Sequence, residues 1–219
     1  MLGENCAATA PWLAEYVPAR RDNRRLQSAA LEFNDGYFVV EKRMKFVETS
    51  LSGAWLIEPV PSQDSRGYFA RTFCIREFEA HGLETRFVQH STSYSARRGT
   101  IRGMHYQKDP HAEVKVVRCR KGAVWDVVID LRPQSPTHRQ WQGFELTALN
   151  CRQLYIPAGF AHGLQTLCDD TETDYLISEF YEPAAASGVR FDDPAFAIDW
   201  PLAPTAVSGR DKAWPLFAN

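Results

Sequence analysis

The sequence has no apolar run near the eighteen or so residues that a membrane span requires, and its opening Met-Leu-Gly-Glu-Asn-Cys offers neither the basic start nor the apolar core of a signal peptide. Membrane insertion and secretion are therefore not expected. Basic surplus is missing too: 25 Lys and Arg face 27 Asp and Glu, a formal charge of −2, so no electrostatic stripe is available for a nucleic acid. Cysteine is sparse: Cys6, Cys74, Cys119, Cys151 and Cys168 are odd in number, widely spaced and free of any Cys-x-x-Cys. They read as reduced thiols, which suits the cytoplasm and disfavours a zinc ribbon or a disulfide scaffold. What is present, 44% hydrophobic and 24% charged over 219 residues, is ordinary for a folded domain.

Regular patterning is also missing from residues 1–43, which hold six acidic and six basic residues and a cluster at Arg20, Arg21, Arg24 and Arg25. A loosely ordered extension is expected there. Met44 precedes the regular part, and translation from Met44 is an expectation that peptides from residues 1–43 in the native protein would refute. Residues 44–219 are expected to form one domain. From about residue 54 short β-branched and aromatic runs alternate with Gly, Pro, Asn and Asp, the pattern of an all-β sandwich or barrel. Strands are predicted at Ala54–Pro59, Tyr68–Cys74, Phe87–Ser93, Thr100–Gln107, Val114–Arg120, Val124–Leu131, Gly143–Thr147, Gln153–Ile156, Gly163–Leu167 and Thr173–Ser178. One helix is predicted over Ile75–His81, stopped by Gly82. The Pro-rich stretch from Asp192 onward is expected to wrap the surface.

Period-2 arithmetic adds detail on two strands. In Val124–Leu131 one face is dry (Trp125, Val127, Ile129, Leu131), while the other mixes Val124 and Val128 with Asp126 and Asp130. Around Glu113–Lys121, Lys115 shares its face with Val117 and Cys119, and parity allows it to point into a barrel. An inward lysine is costly unless it meets an anion or a carboxylate.

Two histidines fall in suggestive settings. His105 lies on the apolar strand Ile101-Arg102-Gly103-Met104-His105-Tyr106-Gln107, and His162 closes the tight turn Pro157-Ala158-Gly159-Phe160-Ala161-His162. Together these segments resemble the paired motifs of the cupin jelly roll, which implies an all-β, cupin-like double-stranded β-helix with short flanking helices. Metal-binding cupins carry His-x-His followed by a glutamate. Here the motif reads His105-Tyr106-Gln107, and Glu113 lies too far along, so use of His105 without a metal is expected.

Seven strings in order make the resemblance specific: Arg66-Gly67-Tyr68-Phe69; Arg102-Gly103-Met104-His105-Tyr106-Gln107; Lys115-Val116-Val117-Arg118; Asp126 through Asp130-x-Arg132 to Ser135-Pro136-Thr137; Ile156-Pro157-x-Gly159-Phe160-Ala161-His162-Gly163; Asp192-Asp193-Pro194; and Trp200-Pro201. From about Met44 to Pro215 the chain resembles the dTDP-4-dehydrorhamnose 3,5-epimerase family of nucleotide-sugar epimerases. The resemblance implies an isomerase without cofactor or metal, acting on a nucleotide-linked 4-dehydro-6-deoxyhexose. It makes His105 the base, Asp211 the carboxylate that orients it, and Tyr175 the acid on the opposite ring face. Lys115 falls beside the keto oxygen. Arg66, Arg102 and Arg210, with Gln89, Gln107 and His162, fall on the substrate-binding side, and Tyr181 on the nucleotide base. A homodimer with an exchanged N-terminal strand is also implied, in which Arg66 serves the neighbour.

Inversion at carbon needs proton loss on one face and gain on the other, so two different side chains are necessary. A hydrogen next to a ketone is less acidic than imidazolium by on the order of ten pKa units, each ~1.36 kcal/mol. A cation at the developing enolate is therefore as necessary as the base. Arg102 and His105, three apart, would face opposite sides of a regular strand, which predicts a bulge or kink at Gly103. Three positions depart from the family pattern: Arg71 for an acidic residue, Ser91 for an asparagine and Ala186 for a glutamate. All three are binding positions, so altered recognition of the nucleotide or sugar is expected, with CDP or GDP, or reaction at one carbon only, as options. The alternatives are a sugar 3,4-ketoisomerase and a noncatalytic sugar- or nucleotide-binding cupin.

Overall fold

The computed structural model describes residues 43–217. The expected extension over residues 1–43 lies, but for Arg43, outside the described residues. The strands are β1 Lys45–Glu48, β2 Trp55–Glu58, β3 Ser62–Asp64, β4 Gly67–Phe69, β5 Gln89–Ser95, β6 Thr100–Gln107, β7 Lys115–Lys121, β8 Ala123–Asp130, β9 Trp141–Thr147, β10 Gln153–Ile156, β11 Phe160–Thr166, β12 Thr171–Ile177, β13 Ala186–Gly188 and β14 Ala206–Val207. Helices α1 (Ile75–Ala80) and α2 (Gly209–Ala213) are short. One sheet runs β1-β2-β10-β7-β12-β5 and the other β13-β6-β11-β8-β9, with β14 parallel on β6 and β3–β4 a separate hairpin. Two facing sheets whose strands neighbour far-off partners in sequence make the cupin-type jelly roll.

Apolar residues fill three places. Leu51, Val117, Cys119, Val124, Val128, Leu154 and Leu164 pack between the sheets. On the outer face of the first sheet, Phe78 of α1 meets Ile57, Val116 and Tyr155. Over the outer face of the second, Val189, Phe196 and Trp200 of the C-terminal segment cover Met104, Val127, Ile129 and Ala161. The dry face of β8 therefore lies outside, beneath this strap, and the mixed face with Asp126 lies inside the barrel, where the polar groups of a site can meet.

The predicted limits of β6 and β10 match the observed ones. The stretch predicted over Tyr68–Cys74 is strand only to Phe69, because Thr72 turns its carbonyl to the buried Gln153 side chain and Cys74 is the N-cap residue of α1. β1, β3, β13, β14 and α2 were not expected. β1 pairs with β2 of its own chain from Lys45↔Glu58 to Glu48↔Trp55. Cys74, Cys119 and Cys151 carry free thiols. No helix among the described residues is long and apolar enough to cross a membrane.

β6 departs from a regular strand where expected. His162 stands opposite His105, but Leu164 stands opposite Arg102, so two residues of β6, Gly103 and Met104, oppose the single Gly163 of β11. Gly103 takes a φ of 143°, and a Cβ there would lie 2.5 Å from the Gly163 Cα. Only glycine at 103 suits both that backbone and so close an approach.

Candidate active site

A cavity of about 700 Å³ opens between the sheets. Of the residues singled out from the sequence, His105, Tyr175, Asp211, Lys115, Gln89, Arg102, Gln107, His162, Tyr181 and Arg210 line it, and Arg66 does not. Arg66 instead sits at the exposed turn of the β3–β4 hairpin, its guanidinium 2.6 Å from Asp64.

His105, on β6, and Asp211, on α2, meet at 2.6 Å between Nε2 and Oδ1. The position of Asp211 is built locally. Ser208 caps α2, its hydroxyl accepting from the Asp211 amide at 3.0 Å. The bulge then contributes the Gly103 amide, which donates to Asp211 Oδ2 at 3.4 Å. Burial alone would raise the Asp211 carboxyl, but the bond to His105 and its charge hold it below the ordinary carboxylate value. The imidazole itself is 43% exposed, so it can reach a ligand, while Asp211 is sealed behind it.

Tyr175 comes from β12, in the opposite sheet. Burial pushes its phenol up to about 12, against the opposing effect of the Ser93 hydroxyl 3.4 Å away. It is therefore a neutral O–H donor at neutral pH. His162 of β11 stands 6.1 Å from the Tyr175 ring and bonds both oxygens of Asp126 at 3.0 Å. Asp126 is fully buried and was not singled out from the sequence. Its signal was a carboxylate on the mixed face of β8. His162 is directly opposite Val128, so Asp126 is its diagonal cross-strand neighbour.

Lys115 points inward, as parity allows, and its Nζ lies 2.7 Å from Glu113 Oε1. Arg102 donates to the Ser95 hydroxyl and the Tyr94 carbonyl, and Arg210 to the Tyr181 hydroxyl with its guanidinium over Trp214. Neither arginine is paired with a carboxylate among the described residues, so both keep unspent charge at the cavity. Gln89 Oε1 accepts from the Tyr181 amide, fixing the loop that carries this half-exposed ring. Gln107 is committed to the wall. Its NH₂ donates to the carbonyls of His111 and Phe180, and its oxygen accepts from the Glu182 amide. Among the described residues no group of three or more His, Cys, Asp or Glu is arranged to hold a metal ion.

A family model described as dTDP-4-dehydrorhamnose 3,5-epimerase matches residues 48–219. The chain belongs to the dTDP-4-dehydrorhamnose 3,5-epimerase family. It is 43% identical over 179 residues to the dTDP-4-dehydrorhamnose 3,5-epimerase of Methanothermobacter thermautotrophicus, covering 80% of this chain and 96% of that one. It is 38% identical to the dTDP-4-dehydrorhamnose 3-epimerase of Streptomyces niveus, covering 80% and 85%. Among solved structures, the Bacillus anthracis dTDP-4-dehydrorhamnose 3,5-epimerase with TDP and PPi bound aligns with a TM-score of 0.78 at 43% identity, over 80% of this chain and 100% of that one.

Within this epimerase scaffold the three departures fall unequally. Ser91 and Ala186 line the cavity. Arg71 does not line it and is paired with Glu77 at 2.9 Å.

Proposed function

We propose that the chain, through residues 44–219, epimerises a nucleoside-diphosphate-linked 4-dehydro-6-deoxyhexose at position 3, position 5 or both, in deoxysugar or surface-polysaccharide synthesis. The observation that carries this reading is the placement of a carboxylate-bound imidazole (His105) and a neutral phenol (Tyr175) on opposite sheets facing one cavity. In this reading His105 takes the proton next to the ketone and Asp211 holds the imidazole in the useful orientation. Lys115 steadies the enolate oxygen, and Tyr175 delivers a proton to the other ring face. Arg102 and Arg210 meet the diphosphate, for which the guanidinium fork is suited. Gln89, Tyr181 and the His162–Asp126 pair shape the remaining walls, and Gln107 acts by holding them.

A homodimer fits the β3–β4 hairpin, which among the described residues pairs only with itself and exposes Tyr68 and Phe69 beside Arg66. A second copy covering these rings would carry Arg66 to its neighbour's cavity. A cytoplasmic location rests on the three free thiols Cys74, Cys119 and Cys151, and cell fractionation tests it.

Incubation in heavy water with dTDP-, CDP- and GDP-linked 4-keto-6-deoxyglucose tests the reading. Deuterium should enter at position 3, position 5 or both. No exchange with any of the three would leave a binding protein, and migration of the ketone would indicate a ketoisomerase.

A further inference from the structure

Lys115 does not stand alone in the cavity. Glu113 lines the same wall, two residues earlier and so on the same face of the chain, with its Oε1 2.7 Å from Lys115 Nζ. Both side chains are only 11% exposed. The surface pair Lys45–Glu58, at 67% and 25%, shows the contrast. Exposed pairs contribute little, whereas a buried carboxylate beside an ammonium fixes its position and offsets the cost of burying it.

The backbone around Glu113 is pinned on both sides. The Val114 amide donates to the Ser178 hydroxyl at 2.8 Å, and the Ser178 amide donates back to the Val114 carbonyl at 3.0 Å. The His111 carbonyl accepts from Gln107 at 3.0 Å. Glu113 therefore presents its carboxylate from a fixed frame, while Lys115 reaches it on a four-carbon stem with many rotamers. An ammonium has three N–H donors and Glu113 occupies one, leaving two for another oxygen in the cavity.

We propose that Glu113 is a positioning residue for the epimerase reaction: it holds the Lys115 ammonium at the place where the keto oxygen of the substrate becomes an enolate. The inference rests on the functional reading above. Preorganisation of a cation lowers the barrier because no side chain has to reorient as charge develops, so the effect belongs to kcat and not to substrate capture. A wall residue with no link to Lys115 would instead act on binding or folding, and independently of Lys115.

A double-mutant cycle separates these roles. Position-3 deuterium exchange is measured for wild type, Glu113→Gln, Lys115→Met and the double variant, with affinity for dTDP and thermal melting recorded in parallel. Glu113→Gln keeps the shape and one acceptor oxygen, and should lower kcat about 10-fold with KM within twofold. Lys115→Met should lower kcat by 100-fold or more, and adding Glu113→Gln to it should cost no further activity. The double variant should melt above Lys115→Met, which buries an unpaired carboxylate. Glu113→Asp should recover part of the loss in Glu113→Gln. Wild-type kcat in Glu113→Gln, or a loss that adds in full to that of Lys115→Met, would overturn the proposal. Full exchange by Lys115→Met would instead overturn the role given to Lys115 above.

Discussion

His105 Nε2 lies 2.6 Å from Asp211 Oδ1 across 106 residues of sequence. Asp211 is also bound through its amide by Ser208 and through its second oxygen by the Gly103 amide. Asparagine at 211 would keep the shape but place a donor or a neutral oxygen against the imidazole. Asp211→Asn should lower kcat about 100-fold or more with KM little changed. His105→Ala should abolish exchange while the melting temperature stays near wild type. Exchange in Asp211→Asn within threefold of wild type would show that the carboxylate does not orient the base.

Tyr175→Phe should separate the two proton transfers. Exchange into the substrate through His105 should persist, while net inversion falls by at least 100-fold. Because burial raises the phenol to about 12, it stays protonated as pH rises through the neutral and moderately alkaline range. The pH profile of exchange between pH 6 and 10 should therefore keep its shape in Tyr175→Phe. A lost alkaline limb would assign a titration to Tyr175 and contradict its role as a standing acid.

Arg210→Ala and Arg102→Ala should each weaken dTDP binding about 10-fold, the effect of one lost charge-assisted hydrogen bond. Calorimetric titration at fixed salt reads this directly. Unchanged affinity in both would move the diphosphate elsewhere in the cavity.

Acid stability tests the clip after β8. Asp130 is fully buried and accepts from Arg132, Ser135 and Thr137. Burial would raise its carboxyl, but these bonds bring it from the ordinary 3.8 to about 2. A lowered folded value means that its stabilisation is complete above 3.8 and is lost as pH falls through about 2. The contribution is on the order of 2 kcal/mol. Asp130→Asn should melt below wild type at pH 7, and the gap should narrow as pH falls from 4 towards 2. A gap independent of pH would mean that packing, not ionisation, carries the effect.

Gly103→Ala combines a φ of 143° with a Cβ 2.5 Å from the Gly163 Cα. It should destabilise by at least ~2 kcal/mol and lower activity through the displaced Asp211. Chemical denaturation measures the first and deuterium exchange the second. Wild-type stability would show that the bulge can relax.

Strands with strong alternation and glycine or proline at their ends were legible in the sequence, β6 and β10 to the residue. β13 and β14, three and two residues long, were not, since so short a run carries no period and forms only because β6 offers an edge. The cavity residues were legible through the ordered motifs, and the bulge through the spacing of Arg102 and His105. Asp126 was visible as a carboxylate on the mixed face of β8, but its partner depends on the register of β8 with β11, which no local pattern encodes. Gln107 lines the cavity, but its bonds to the His111 and Phe180 carbonyls and the Glu182 amide were not legible, because motif position says nothing about which backbone groups need satisfying nearby.

The apolar strap over the second sheet sets an order in time. The ribosome makes His105 more than a hundred residues before Asp211, and β14 and α2 join β6 only after the strap's Val189, Phe196 and Trp200 are available to dock. The barrel strands can thus be complete while the imidazole still lacks its carboxylate. In a chain made from its N-terminus, His105 therefore waits for Asp211 until the segment beyond the strap has been added.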